Sequence, residues 1–310
     1  MADSIFFIGH VSIDEVENVN GVRVQPGGAA LYAAMAAKTL LDDVRLVSMI
    51  GRDYRFMDAL KPFPSRYIGI LNIPSTKFGI HYNEMWEASY PKAEYGVGSR
   101  ISASTVPFRV IGPNSIIHIS PLHPQKVKGI VGKIREFSSE TIISINTWMG
   151  YIKGRKTRDI LREMALKADI FILNDGEAKA LTRAGSLSTA LRLLKAKMLV
   201  VTLGELGAII SRENGEIQMV PALNFPVGKI IDTTGAGDVW CGAFLAAYKL
   251  VGNLMKSVTA ASIISSIKCS GWGFSRLQSL RFREVDDIIE YVIGLREGSL
   301  QKRISDYFLR

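Results

Sequence analysis

Cysteine is scarce in this chain: Cys241 and Cys269 are the only two among 310 residues, which excludes a disulfide framework and leaves two small thiols. No apolar run reaches the length of a membrane span, and Met1 to His10 has neither a basic leader region nor a small-residue cleavage site. A cytoplasmic protein is therefore expected. No G-x-G-x-x-G opens a first β-α unit with an acidic residue at the required distance, which argues against a dinucleotide oxidoreductase, and the absence of G-x-x-x-x-G-K-[ST] excludes a P-loop enzyme. The formal net charge of +9 is scattered, without a Lys/Arg run or interleaved aromatics. It reads as a solvated surface with a bias toward phosphates, and no nucleic-acid partner is expected.

What is present is a chain that can bury a large core, with 47% hydrophobic and 22% charged residues and no repeat or low-complexity linker. One α/β domain over residues 1–310 is expected. Ile5 to Ile8 reads as a first strand, and Asn20-Gly21 is a strong hairpin signal within a partly alternating stretch. Gly27-Gly28 opens an Ala-rich helix, Ala29 to Leu41. Strand-like runs recur in Arg66 to Ile73 and Lys77 to Asn83. Segments of about 14–26 and 66–98 are thus expected to pair into a small β-lid. Beyond about Val110 strands and helices alternate, with strands at Ser115 to Ile119, Thr141 to Ile145, Ile170 to Leu173, Leu199 to Leu203 and Ala208 to Ile210. That rhythm predicts a mainly parallel sheet covered by helices on both faces, with ligands outside the carboxyl ends of its strands.

The most informative segment is Asp232-Thr233-Thr234-Gly235-Ala236-Gly237-Asp238, which runs into an apolar helix, Val239 to Leu250. Gly235, Ala236 and Gly237 let backbone N–H groups approach a ligand, and the first amides of a helix lack internal partners, so an anion is stabilised there. Asp238, in the first helical turn, either caps the helix or removes a proton.

This segment resembles the second signature of the ribokinase-like carbohydrate kinases, the PfkB family. The resemblance implies a three-layer fold with a β-lid. It also implies an ATP-dependent phosphotransferase in which Asp238 is the general base and Gly235, Ala236 and Gly237 form the anion hole. Further motifs follow in family order. Asp14 and the pair Gly27-Gly28 match the substrate-binding positions, with a turn role open for Asp14. Asn174 and Glu177 match the N-x-x-E motif that arranges Mg2+ through water, though the same residues read as a helix-start cap. Thr202, Gly204 and Gly207 match a turn beside the ATP phosphates. Asp232 and Thr234, with Ser275 and loop carbonyls near Gly271, lie where many relatives bind a monovalent cation, so K+ is implied, while a structural role for Asp232 stays open. Trp272 or Phe274 would wall the adenine or pack in the core.

Two departures bear on the acceptor. Tyr32 stands where sugar-kinase relatives carry Asn, and no carboxylate lies near Ile117 to Leu122, where ribokinases carry Glu. Trp148, after the strand ending at Ile145, either stacks on a sugar face or a base, or packs at the strand end. Transfer of the γ-phosphoryl group of ATP to a small sugar or polyol is the leading expectation, and a nucleoside kinase comes second. A non-catalytic nucleotide or sugar sensor comes third, since a sensor needs no base. Exposed lid edges suggest a homodimer.

Overall fold

The computed structural model describes residues 4–222 and 228–294; the ends of the expected 1–310 domain and the segment 223–227 lie outside the described residues. In chain order the elements begin with β1 (Ile5–Ile8), β2 (Ser12–Asn18), β3 (Gly21–Gly27), α1 (Ala29–Ala37), β4 (Val44–Gly51), β5 (Ile68–Leu71), β6 (Thr76–Tyr82) and β7 (Ala88–Glu94). Then come β8 (Ile116–Ile119), α2 (Pro124–Phe137), β9 (Ile142–Asn146), α3 (Met149–Ile152), α4 (Arg155–Lys167), β10 (Ile170–Asn174) and α5 (Asp175–Thr182). The chain continues through α6 (Leu187–Leu193), β11 (Met198–Thr202), β12 (Ala208–Arg212), β13 (Ile217–Val220), α7 (Ala236–Val251) and α8 (Leu254–Cys269).

Nine strands form the central sheet in the order β13-β12-β11-β10-β9-β8-β1-β4-β5. From β11 through β5 every pair is parallel. β1 is apolar on both faces, as a strand covered from both sides must be. Ile5 and Phe7 point into a core with α1, α7 and α8, while Phe6 and Ile8 point into a second core with α2, α4, α5 and α6. The sheet is therefore the middle layer of three, as the resemblance implies.

One strand departs from the parallel majority, and one expectation needs correction. β12 runs antiparallel to β11, because the five residues between them are too few for a crossover and close a hairpin instead. Arg66 to Ile73 does not join the lid: β5 pairs with β4 at the edge of the central sheet. The lid is a separate sheet, β3-β2-β6-β7. β2 alternates between covered and exposed residues, and Val16, Ile80 and Tyr82 form a small apolar cluster under the lid. Its hairpin is tied to the loop before α7, since Asn18 Nδ2 and Asn20 Nδ2 both donate to the Ile231 carbonyl at 3.1 Å.

Candidate active site

The carboxyl ends of parallel strands meet the amino end of α7. Asn174 and Thr202 are neighbours in register at the ends of β10 and β11, and Asn146 closes β9 beside Ile172. Two cavities open there. One, of about 310 Å³, reaches under the lid from Asp238 to Asp14; the other, of about 570 Å³, lies between α7, α8 and the turn at Gly204. They share Thr202, Thr233, Ala236 and Gly237. The Asp232–Asp238 turn thus stands where two ligands would meet.

Gly235 begins α7 at φ 72°, and a Cβ there would lie 2.4 Å from the Tyr32 ring. Both facts require glycine. The Ala236 N–H is spent inside the turn on the Thr233 carbonyl at 3.0 Å, which corrects its expected place among the anion donors. The N–H groups of Gly235, Gly237 and Asp238 meet no protein acceptor among the described residues. With the positive end of a 16-residue helix behind them, they can hold an anion.

Asp238 lines the lid-side cavity and receives a hydrogen bond from Asn146 Nδ2 at 3.3 Å. Burial raises its pKa to about 6, against the smaller opposing effect of Asn146, so it is ionised at neutral pH yet close to a proton acceptor's useful range. Asp14, 2% exposed, is pushed up to about 7 by burial, which outweighs the Ser12 hydroxyl that donates to it at 2.6 Å. A Cβ on Gly27 would fall 1.8 Å from Asp14 Oδ2, and one on Gly28, at φ 103°, would strike the His10 carbonyl. The paired glycines make room for this carboxylate and for the chain that passes it.

Asn174 and Glu177 form a reciprocal cap on α5: Asn174 Oδ1 accepts from Glu177 N at 2.8 Å, and Glu177 Oε2 accepts from Asn174 N at 3.0 Å. Both still line the lid-side cavity, and burial raises Glu177 to about 7. Thr202 and Gly204 line the second cavity, whereas Gly207 sits at φ 108° against the chain at Val220 and Ala222, a turn position.

Tyr32 lines the lid-side cavity. It lies beneath Gly235, with Gln25 Nε2 donating to its Oη at 3.2 Å. Neither expected adenine wall lines the second cavity: Phe274 is buried edge-on to Tyr32 at 5.6 Å, and Trp272 packs on the lid cluster under Arg23. Trp240, Ser262 and Ser265 line that cavity instead.

Asp232 is fully buried. Its Oδ1 accepts from Thr234 N at 2.8 Å, and its Oδ2 accepts from Gln25 Nε2 at 3.0 Å and Gly273 N at 2.9 Å. Lys268, equally buried, reaches Oδ2 at 3.2 Å and donates to the Asp232 carbonyl at 2.7 Å. Burial alone would raise the Asp232 pKa, but the Lys268 ammonium, with Thr234 and Gln25, holds it below the usual carboxylate range. Burial pulls Lys268 down, and Asp232 opposes that pull. Asn146, Gln25 and Lys268 were not singled out as site residues from the sequence. Lys268 leaves a signal: after Lys256 in its first turn, α8 carries no charged residue until Lys268 in its last.

Aromatic side chains close the lid-side cavity. Tyr90 of the lid lies edge-on to Trp148 at 5.1 Å, Trp148 contacts Tyr151 at 5.5 Å, and Tyr151 stacks on Tyr95 at 6.2 Å. His10 Nδ1 and Thr147 Oγ1, both on buried residues of the wall, meet no protein partner among the described residues.

Over 249 residues the chain is 32% identical to a cytidine kinase of Thermococcus kodakarensis, covering 78% of this chain and 87% of that one. A Burkholderia thailandensis nucleoside kinase in complex with inosine superposes with a TM-score of 0.76 at 20% identity, over 94% of this chain and 97% of that one. A Vibrio cholerae fructokinase double mutant, in a fructose, ADP and potassium ion bound form, gives 0.76 at 17% identity, over 94% and 100% of the two chains. At such identities the two structures establish the fold alone, which is ribokinase-like. The model of the pfkB family carbohydrate kinases matches residues 118–276, just over half of the chain, and with the 32% relative it makes this protein a member of that kinase family.

Proposed function

We propose that this kinase acts on a nucleoside, transferring the γ-phosphoryl group of ATP to a ribose hydroxyl. The observation that carries the reading is the aromatic wall of Tyr90, Trp148, Tyr151 and Tyr95 on the lid-side cavity, opposite Asp14 and Asp238. A small sugar offers one apolar face to a single ring, whereas a planar base presents two π faces and its edges to such a wall. His10 Nδ1 and Thr147 Oγ1 supply polar contacts that would otherwise stay unmet at about 1–3 kcal/mol each. The 32% relative's name, cytidine kinase, points the same way. These grounds favour a nucleoside over the small sugar or polyol.

In this reading Asp14 holds the ribose, and Asp238 takes the proton of the attacking hydroxyl. The free amides of Gly235, Gly237 and Asp238 stabilise charge on the phosphoryl group between the two cavities. ATP occupies the second cavity, beside Thr202 and Gly204. Enzymes of this family use ATP and Mg2+. Here the Glu177 carboxylate facing the cavity, with Asn174, fits an ion that keeps most of its waters; among the described residues no group of three His, Cys, Asp or Glu side chains would cage one. When bound, Mg2+ neutralises phosphate charge.

A coupled ADP-release assay over nucleosides, pentoses, hexoses and polyols tests the proposal: nucleosides are expected to give the highest kcat/KM, and preference for a free sugar refutes it. Trp148→Ala is expected to lower kcat/KM for the nucleoside by the worth of one stacked base, about 1–3 kcal/mol or roughly 5- to 150-fold, while any turnover of free ribose stays unchanged. Glu177→Gln separates cap from metal. Glutamine preserves the capping box and carries no buried charge, so Tm should not fall, while the Mg2+ concentration for half-maximal rate rises about 10- to 100-fold.

A further inference from the structure

Relatives that bind a monovalent cation place it beside the anion-hole turn, and the corresponding residues here do not fit one. Such an ion needs several oxygen acceptors turned toward it at once. Every oxygen of Asp232 already has a donor: Thr234 N on Oδ1, Gln25 Nε2, Gly273 N and Lys268 Nζ on Oδ2, and Lys268 Nζ again on the carbonyl. The loop after α8 turns the Gly273 N–H toward Asp232, a donor where an ion would need an acceptor. Ser275, expected among the ligands, is exposed, whereas Asp232 and Lys268 are 0% exposed. A metal ion beside Lys268 would also put a second positive charge next to a single buried carboxylate.

We infer that the Lys268 ammonium takes the place of the monovalent cation beneath the catalytic turn, so that this kinase works without K+. An ammonium is a compact unit charge with three donors, suited to bridge the carbonyl and the carboxylate that a bound ion would otherwise draw together. It lies 5.5 Å from the Tyr32 ring centroid, and Tyr32 supports Gly235. Two departures from the family pattern, Tyr32 and the filled cation position, thus belong to one network with Gln25. Lys268 is a positioning residue: it touches no reacting atom, but fixes Asp232 and with it the start of the turn.

The inference rests on reading Asp232–Asp238 as the catalytic turn, and two of its three readouts need no acceptor. The full chain is exchanged into tetramethylammonium chloride and titrated with KCl at constant ionic strength, following Tm and ADP affinity, and then the initial rate with the best acceptor. Wild type should be flat in all three. Lys268→Ala, which leaves space but no charge, should bind ADP more weakly and regain affinity and Tm with K+ but not with tetramethylammonium, by about 5- to 150-fold in affinity, the usual range for coupled sites. Lys268→Met, which fills the space without charge, should stay unresponsive. Selective stabilisation or activation of wild type by K+ overturns the proposal, as does a folded Lys268→Ala indifferent to K+. Should Lys268→Ala fail to fold, the wild-type titration decides alone. A protein that shows these Tm and ADP responses but phosphorylates only free sugars sinks the nucleoside reading and leaves this one standing.

Discussion

Asp238→Asn should lower kcat by about 10²- to 10⁴-fold, the usual contribution of a positioned general base, with KM for either substrate little changed. The side chains are nearly the same size, and Asn146 remains beside the position. The loss therefore reports the missing base rather than a damaged fold. Wild-type kcat/KM should rise with pH through about 6, where Asp238 loses its proton. Asp14 and Glu177, near 7, extend that limb upward, and Asp238→Asn should lack its lower part. Stability should move the opposite way. A carboxylate whose folded pKa is raised from 3.8 to about 6 contributes stability that is complete below about 4 and is lost as pH rises through about 6. Tm of the variant relative to wild type is thus expected to climb between pH 4 and 7 in paired thermal melts.

The second large effect is expected at Gly235. Alanine there must hold φ 72°, at about 1–2 kcal/mol, and its methyl would press into Tyr32, which is packed against Phe274 and Gln25. The turn or the ring must shift, and the donors move from where charge develops. Gly235→Ala should lose about 10²- to 10³-fold in kcat, the scale of one missing oxyanion donor, together with a lower Tm. Gly237→Ala is the control. A Cβ at Gly237 meets nothing within 4 Å, so the free protein should melt as wild type does, and any loss should appear only with ligands present. Equal melting of the two variants would contradict the account of Gly235.

Local signals carried far in this chain. The strand-to-turn junctions at Asn174 and Thr202 and the turn before α7 lie where the sequence places them, because apolar strand runs and helix-start residues are short-range features. Partner choice was not legible. Ile68–Leu71 reads as well for a lid strand as for the sheet edge it joins, and β12 shows its antiparallel direction only through a loop too short to cross over. Val44–Gly51 lies outside the strands the sequence predicts, although it pairs with β1 as the penultimate strand of the sheet. The site shows the same division. Asp238 and Gly235 stand in one contiguous motif, whereas the Lys268–Asp232 pair spans 36 residues and Gln25–Asp232 spans 207. The aromatic wall unites lid residues with α3, and no single segment announces it.

Identity of the acceptor is the claim on which the rest turns, and a competition reads it without separate kinetic constants. Wild type is given ATP, Mg2+ and equal concentrations of cytidine and ribose, and the phosphorylated products are counted by phosphorus NMR early in the reaction. The account predicts nucleoside monophosphate over ribose phosphate by at least about fivefold, the lower worth of one stacked base. Ribose phosphate in equal or greater amount would contradict it.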